Sequence, residues 1–221
     1  MNKPAKPTVA IVQRIVPDCR RSFFERVLSH EGDFDVQLVS SDQARNEAHQ
    51  LVLIAENHKI VPIVYVKELV HLQNSFGFVI KNEIVVIEHA VNSLSNLINF
   101  AICWMLRKPY LLWGHGGVTH VKDGAIKRFF KNYLLHFSTG YIGYTERSRR
   151  ALENWGYDKD KIFIINNSSI DDAKTHIDWN EGLFSDRTVR YVFCGRLTKR
   201  KRLNGLVRAF KLVYSQLFCS H

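Results

Sequence analysis

Short apolar runs recur along this chain, separated by amphipathic stretches. The runs at 8–12, 35–39, 83–88, 110–113, 141–144 and 162–165 are mostly continuous rather than alternating. A strand that is apolar on both sides has to be buried on both faces, as happens when a parallel sheet lies between layers of helices. The stretches at 20–29, 93–106, 123–136 and 146–155 carry apolar residues at helical spacing. Pro109 follows the second of these and Gly156 ends the last. The run at 59–66 contains Pro62 and reads as an edge or irregular strand. The expectation is an α/β fold built on a Rossmann-like parallel sheet.

At 221 residues the chain can form one large domain, or one domain and part of another. Its net charge of +10 resembles a nucleic-acid signal, but the excess is local. Residues 187–221 hold nine Lys or Arg and no acid, and the remainder has 22 basic against 21 acidic residues. A patch of that kind suits a small polyanion or a membrane surface at least as well as DNA. The four cysteines form no CxxC pair, and Cys103 and Cys194 sit in apolar runs that suggest buried small hydrophobes. That usage predicts a reducing compartment and no metal site. The N-terminus lacks a secretion signal, and the apolar stretch 97–106 is too short to span a bilayer, which takes about 20 residues. A cytoplasmic location follows as an expectation.

Polar residues from about 170 suggest three segments: a domain at 1–170, a linker at 171–188 and the start of a second domain at 189–221. The last begins with Tyr191-Val192-Phe193-Cys194, which runs into Gly195-Arg196-Leu197-Thr198-Lys199-Arg200-Lys201. A helix-spaced segment follows at 203–214. Strand, glycine turn, cationic loop and helix form a phosphate-holding arrangement. Arg196 can engage a diphosphate bidentately, and Lys201 adds a point charge. The alternative is a solvated basic loop or a localisation-type run at 199–202. The Walker pattern GxxxxGK[ST] is absent.

In open parallel sheets ligands bind beyond the carboxyl ends of the strands. Those ends nominate Arg14, Ser40, Glu88, His89, His115, Thr145, Glu146, Asn166, Asn167 and Arg196. His115 stands between Gly114 and Gly116, so a ligand can approach the backbone closely while the imidazole bonds a hydroxyl or moves a proton. Its other reading is a histidine that fixes a glycine-rich turn. Glu88 and His89 are adjacent on a strand and need not act together. The segment 122–137 mixes Lys122, Lys127, Arg128 and Lys131 with Phe129, Phe130 and Tyr133. Such a helix can lie on anionic lipid. Packing of its aromatics on the sheet, with the cations solvated, is the reading taken.

Together these motifs resemble the family 4 glycosyltransferases of the GT-B fold, from about residue 83 onward. The match rests on Tyr191–Leu197, Lys201 and Leu206-Val207-Arg208-Ala209-Phe210. Upstream it includes Gly140-Tyr141-Ile142-Gly143-Tyr144-Thr145-Glu146, Lys161-Ile162, Asn166-Asn167 and the 109–117 segment. The resemblance implies a GT-B N-terminal domain followed by the first βα unit of a second Rossmann-like domain. It also implies that Gly195, Arg196 and Lys201 hold the donor diphosphate and that His115 is the active-site histidine. Arg14, Glu88, His89, Gly116 and Asn167 would line the substrate cleft.

Two departures stand out. Residues 14–22 contain no glycine where the family often has a glycine-rich loop, and Arg202 replaces a usual glycine. The family's paired glutamates have no counterpart, so the pattern implies a truncated reading frame or partial record that is inactive or impaired. The implied activity is retaining transfer of a sugar from a nucleotide-sugar to a glycan or lipid-linked acceptor in cell-envelope polysaccharide assembly. It implies no cofactor, no metal, no nucleic acid, and a peripheral contact with the inner face of an anionic membrane. The rival reading is a non-catalytic basic module that binds a membrane surface or nucleic acid.

Overall fold

The computed structural model describes residues 6–17, 20–30, 32–41, 54–66, 70–90, 93–116, 125–166, 192–195 and 201–218. The chain divides into two compact units, Met1–Ala173 and Lys174–His221. The first is built on a seven-stranded sheet ordered β3-β2-β1-β6-β7-β8-β9. The strands are β1 (Thr8–Val12), β2 (Asp35–Ser41), β3 (His58–Val61), β6 (Ile84–Glu88), β7 (Tyr110–Gly114), β8 (Gly140–Gly143) and β9 (Ile162–Ile164). All six pairings in this sheet are parallel. Strands β4 (Ile63–Val66) and β5 (Val70–Gln73) form a separate antiparallel hairpin.

Alternate residues of each strand serve opposite faces of the sheet. Val85, Ile87, Leu112 and Tyr141 join one core cluster, and α3 (Leu94–Met105), α4 (Ala125–His136) and α5 (Glu146–Asn154) supply Phe100, Cys103, Leu134, Leu135 and Leu152 to it. Val86, Trp113 and Tyr144 join the other, which α1 (Arg21–Ser29) covers with Phe24. Burial of each such large side chain contributes about 1.5–3 kcal/mol. Helix α4 gives Leu134 and Leu135 to the core, whereas Phe129, Phe130 and Tyr133, expected to pack there, face outward. Thr145 caps α5 by accepting from the Ser148 N–H, and Ser93 caps α3 by accepting from Asn96.

Pro62 divides the run expected as one strand. It has no N–H to give to a ladder, so β3 ends before it and β4 begins after it in a different sheet. Strand β5 and the short helix α2 (Phe76–Lys81) carry too few periodic residues to be read from sequence. The Lys108 ammonium compensates for α2's brevity by donating to the carbonyls of Val79, Ile80 and Asn82.

The hairpin is tied in by polar groups. Gln73 Nε2 donates to the Gln13 carbonyl at 3.0 Å, and the Gln73 N–H donates to Ser95 Oγ at 3.1 Å. Asn99 Nδ2 donates to Ser75 Oγ at 2.9 Å. His58, also buried, accepts from the Ile54 N–H at Nδ1, which leaves Nε2–H to donate to Ser40 Oγ at 2.7 Å. Burial holds His58 below its ordinary value.

In the second unit, α6 (Leu203–Phe218) runs past the expected 203–214. Val192–Cys194, expected as a strand, is exposed and outside any ladder among the described residues. A strand is defined by a hydrogen-bonded neighbour, and none of the described residues provides one. Cys103 is buried as expected, whereas Cys194 is exposed. Residues 171–188 lie outside those described.

Burial, reinforced by the Arg14 cation, pushes His71 down to about 4 from an ordinary 6.5. Tyr65 packs beside it at 6.1 Å between ring centroids. The unfolded chain therefore takes up this proton first, and stability is lost as pH falls through the window from 6.5 to 4. Urea melts across that range should show a loss of stability traceable to His71, on the order of 1–2 kcal/mol once solvent screening is allowed for. His71→Gln should flatten the profile, with His58 accounting for part of the remaining slope.

Candidate functional site at the carboxyl edge of the sheet

Strand order reverses between β1 and β6, and the connections leaving these two strands diverge. A crevice opens at such a point beyond the strand ends. Gln13 and Arg14 follow β1, and His89 follows Glu88 at the end of β6. Gly114 ends β7 and His115 and Gly116 follow it, with Tyr144 and Thr145 just beyond β8. The sheet thus brings Arg14, Glu88, His89, His115 and Gly116 to one edge.

Two tyrosines, Tyr141 within β8 and Tyr144 just after it, hold the histidines. Tyr141, fully buried, accepts the Gly116 N–H at 2.9 Å and lies 3.2 Å from His89 Nδ1. Burial keeps its phenol protonated, so its hydrogen is available to His89. The His89 ring meets Tyr141 edge-on at 5.5 Å. Gly116 has φ +58°, and a Cβ there would lie 2.8 Å from the Ser148 carbonyl oxygen. Only glycine lets the loop after β7 pass this close to α5.

Tyr144 lies between His115 and Arg20. Its ring centroid is 4.6 Å from that of His115 and 4.6 Å from the Arg20 guanidinium carbon. Arg20 Nη1 also donates to the Tyr144 hydroxyl at 2.8 Å. Burial holds His115 below its ordinary value, the Arg20 cation adds to this, and the Glu88 carboxylate opposes it. Burial likewise raises Tyr144, with Arg20 acting against the shift and Glu88 with it. A neutral imidazole beside a fixed cation can exchange hydrogen bonds with a hydroxyl while the cation holds an anionic group.

Sequence reasoning missed Arg20, Tyr141 and Tyr144. Tyr144 had a signal, since it stands beside the nominated Thr145 at a strand end. Arg20 had none, because it precedes a helix and reaches the edge only through its side chain. In the second unit Gly195 has φ +154°, a conformation that side-chain-bearing residues rarely adopt, and Lys201 is exposed ahead of α6. Arg196 and Asn167 lie outside the described residues.

The fold has counterparts among solved structures. A UDP-N-acetylglucosamine 2-epimerase superposes with a TM-score of 0.51 at 14% identity, covering 72% of this chain and 48% of the other. The Neisseria meningitidis UDP-GlcNAc 2-epimerase bound to UDP-GlcNAc gives 0.47 at 14% identity, over 74% and 47% of the two chains. S. aureus MnaA with UDP gives 0.48 at 10% identity, over 72% and 44%. The chain therefore spans about half the length of these structures. No protein-family model and no curated protein matches it. At such identities the likeness is one of fold: an α/β Rossmann-like sheet of GT-B type.

The electrostatics can be read out at His115 by NMR titration. Its imidazole should titrate below 6.5 in the wild type. Arg20→Gln should move the midpoint up and Glu88→Gln should move it down. Identical midpoints in all three proteins would show that burial alone sets it.

Proposed function

We propose that this chain is part of a GT-B-type glycosyltransferase that moves a sugar, with retention, from a nucleotide donor to a glycan or lipid-linked acceptor. The observation that carries this reading is the carboxyl-edge constellation of Arg14, Arg20, Glu88, His115 and Gly116, set at the switch point of a sheet whose fold is that of a UDP-N-acetylglucosamine 2-epimerase. The family resemblance at 191–210 and the charge concentrated at 187–221 support it.

In this reading Arg196 and Lys201 neutralise the donor diphosphate as its bond to the sugar's anomeric carbon breaks. The acceptor oxygen bonds to that carbon, and the acceptor's proton leaves with the diphosphate. His115, neutral and seated on Tyr144, takes a hydrogen bond from a sugar hydroxyl. Glu88 balances the charge of Arg20. A lipid-linked acceptor would place the protein at the inner face of an anionic membrane, in cell-envelope polysaccharide assembly.

The fold likeness also favours a second reading in the same substrate class, epimerisation of the nucleotide sugar. Because the chain spans about half the length of its structural neighbours, binding is the first measurement and low turnover by 1–221 is expected. Calorimetry with UDP should show binding that Arg196→Ala or Lys201→Ala weakens by about tenfold or more, as loss of a charge-assisted contact implies. His115→Ala should leave UDP affinity nearly unchanged and weaken UDP-GlcNAc alone. Undiminished UDP binding by the Arg196→Ala, Lys201→Ala double variant would overturn the donor assignment. Interconversion of the sugar at C2 without an acceptor would select epimerisation.

A further inference from the structure

A cavity of about 560 Å³ lies at the amino edge of the sheet, the end opposite the site described above. That volume falls in the range of small-molecule sites, about 300–1,000 Å³. Its walls come from the starts of β1 and β2, the ends of α1 and α2, and Asn57 ahead of β3. One part of the wall is apolar: Val27, Leu28 and Val36 are half-buried, and Phe34 is 47% exposed. The ionisable groups that line it are Lys6, Lys81, Asp35 and His30.

Three amides in the wall are oriented by the bonds they already make. Asn82 donates Nδ2 to the Phe78 carbonyl at 2.9 Å and to Gln37 Oε1 at 3.3 Å. Asn57 donates Nδ2 to the carbonyls of Val36 at 2.8 Å and Leu28 at 3.4 Å. Each asparagine therefore keeps Oδ1 as an acceptor, and Gln37 keeps Nε2 as a donor. The opposite charges stand on different sides of β1. Asp35 is in register with Thr8 on one side, and Lys81 precedes β6, which pairs with β1 on the other. Strands β2 and β6 are about 10 Å apart across β1. Among the described residues neither lysine nor the Asp35 carboxylate is in an ion pair. Glu83, close to Lys81 in sequence, accepts the Thr8 N–H at 2.8 Å instead.

We propose that this cavity binds a small zwitterion with an apolar side chain, the chemistry of an aliphatic α-amino acid. Lys6 and Lys81, with Gln37 Nε2, take the carboxylate. Asp35 takes the ammonium, with Asn57 Oδ1 and Asn82 Oδ1 as further acceptors. Val27, Leu28, Phe34 and Val36 cover the side chain. Helix polarity argues against a polyanion. Both α1 and α2 end at this edge, and the partial negative charge of their last carbonyls favours an ammonium and opposes a phosphate. A neutral sugar would engage the amides but leave the two lysines and the Asp35 carboxylate unused. The cavity shares no residue with the groups assigned to sugar transfer, so the inference stands apart from that reading.

The test uses the full 221-residue chain with L-leucine as the probe, followed through side-chain amide NMR signals. Those of Gln37, Asn57 and Asn82 should shift saturably, with a dissociation constant of about 1 mM or tighter. N-acetyl-leucine lacks the ammonium and leucinamide lacks the carboxylate; each should bind about tenfold more weakly or worse. Lys6→Gln combined with Lys81→Gln should weaken leucine by a similar factor and leave leucinamide unchanged. Asp35→Asn should weaken leucine severalfold and leave N-acetyl-leucine unchanged. Phe34→Ser should narrow the margin of leucine over alanine. Lys81, Asp35 and Phe34 are exposed and Lys6 is half-buried, and unchanged thermal melts would confirm that the variants fold. Damage to the fold would weaken all the probes alike, whereas the proposal requires each variant to spare the probe that lacks the matching charge.

No saturable shift at ten times that concentration would overturn the proposal. Equal binding of leucine and its two blocked forms would also overturn it, as would binding of glucose in place of leucine. Leucine shifts confined to the carboxyl edge around His115 would do the same. UDP binding is measured on the same samples. Intact UDP binding without leucine binding would refute this site and leave the transferase reading standing; the converse would do the reverse.

Discussion

The parallel pairing of β1 with β6 is the constraint on which the rest of the first unit depends. Val9–Val12 lie in register with Ile84–Ile87, and Ala10, Val12, Val85 and Ile87 are almost wholly withdrawn from solvent. From this pair the sheet extends through β2 and β3 on one side and through β7, β8 and β9 on the other. Because both central strands are buried on both faces, a one-residue slip would exchange the residues that face the two helix layers. The register that makes the core therefore also fixes which side chains emerge at the carboxyl edge of the sheet.

Strand β8 extends that control to both histidines. Tyr141, within β8, belongs to one core cluster and Tyr144, just after it, to the other, so the two phenols serve opposite faces of the sheet. One orders His89 and the other His115. Each phenol is kept protonated by burial, and each has a polar partner, Gly116 N–H for Tyr141 and Arg20 for Tyr144. The buried aromatic mass supports the core while the two hydroxyls hold the loop after β7 and the Arg20 side chain.

Much of this architecture was legible in the sequence, because a strand buried on both faces writes a continuous apolar run and a surface helix writes a 3.6-residue period. The central strands and α3, α4 and α5 fall within a residue or two of their expected positions. What escaped has a physical cause. Strand β5 and α2 are held by side-chain hydrogen bonds and by Lys108, and such contacts leave no periodic trace. The outward face of α4 was misread because its sequence offers two apolar faces and only packing decides between aromatic and aliphatic. Of the site, the strand-end residues His115, Glu88 and His89 were readable from topology. Arg20 was not, since its role depends on a side chain reaching across from a neighbouring element.

The close approach at Gly116 gives the carboxyl edge of the sheet two sides of different character. On one side, the loop after β7 is wedged against the first turn of α5 with no room for even a methyl group. On the other, the segment leading into α1 contributes through the Arg20 side chain, which adjusts by rotamer rather than by moving backbone. A change in side-chain length at position 20 can therefore be absorbed at this edge, while a residue larger than glycine at position 116 forces the β7–α5 junction apart. In this way the fold sets an adjustable side chain opposite a backbone contact that cannot give.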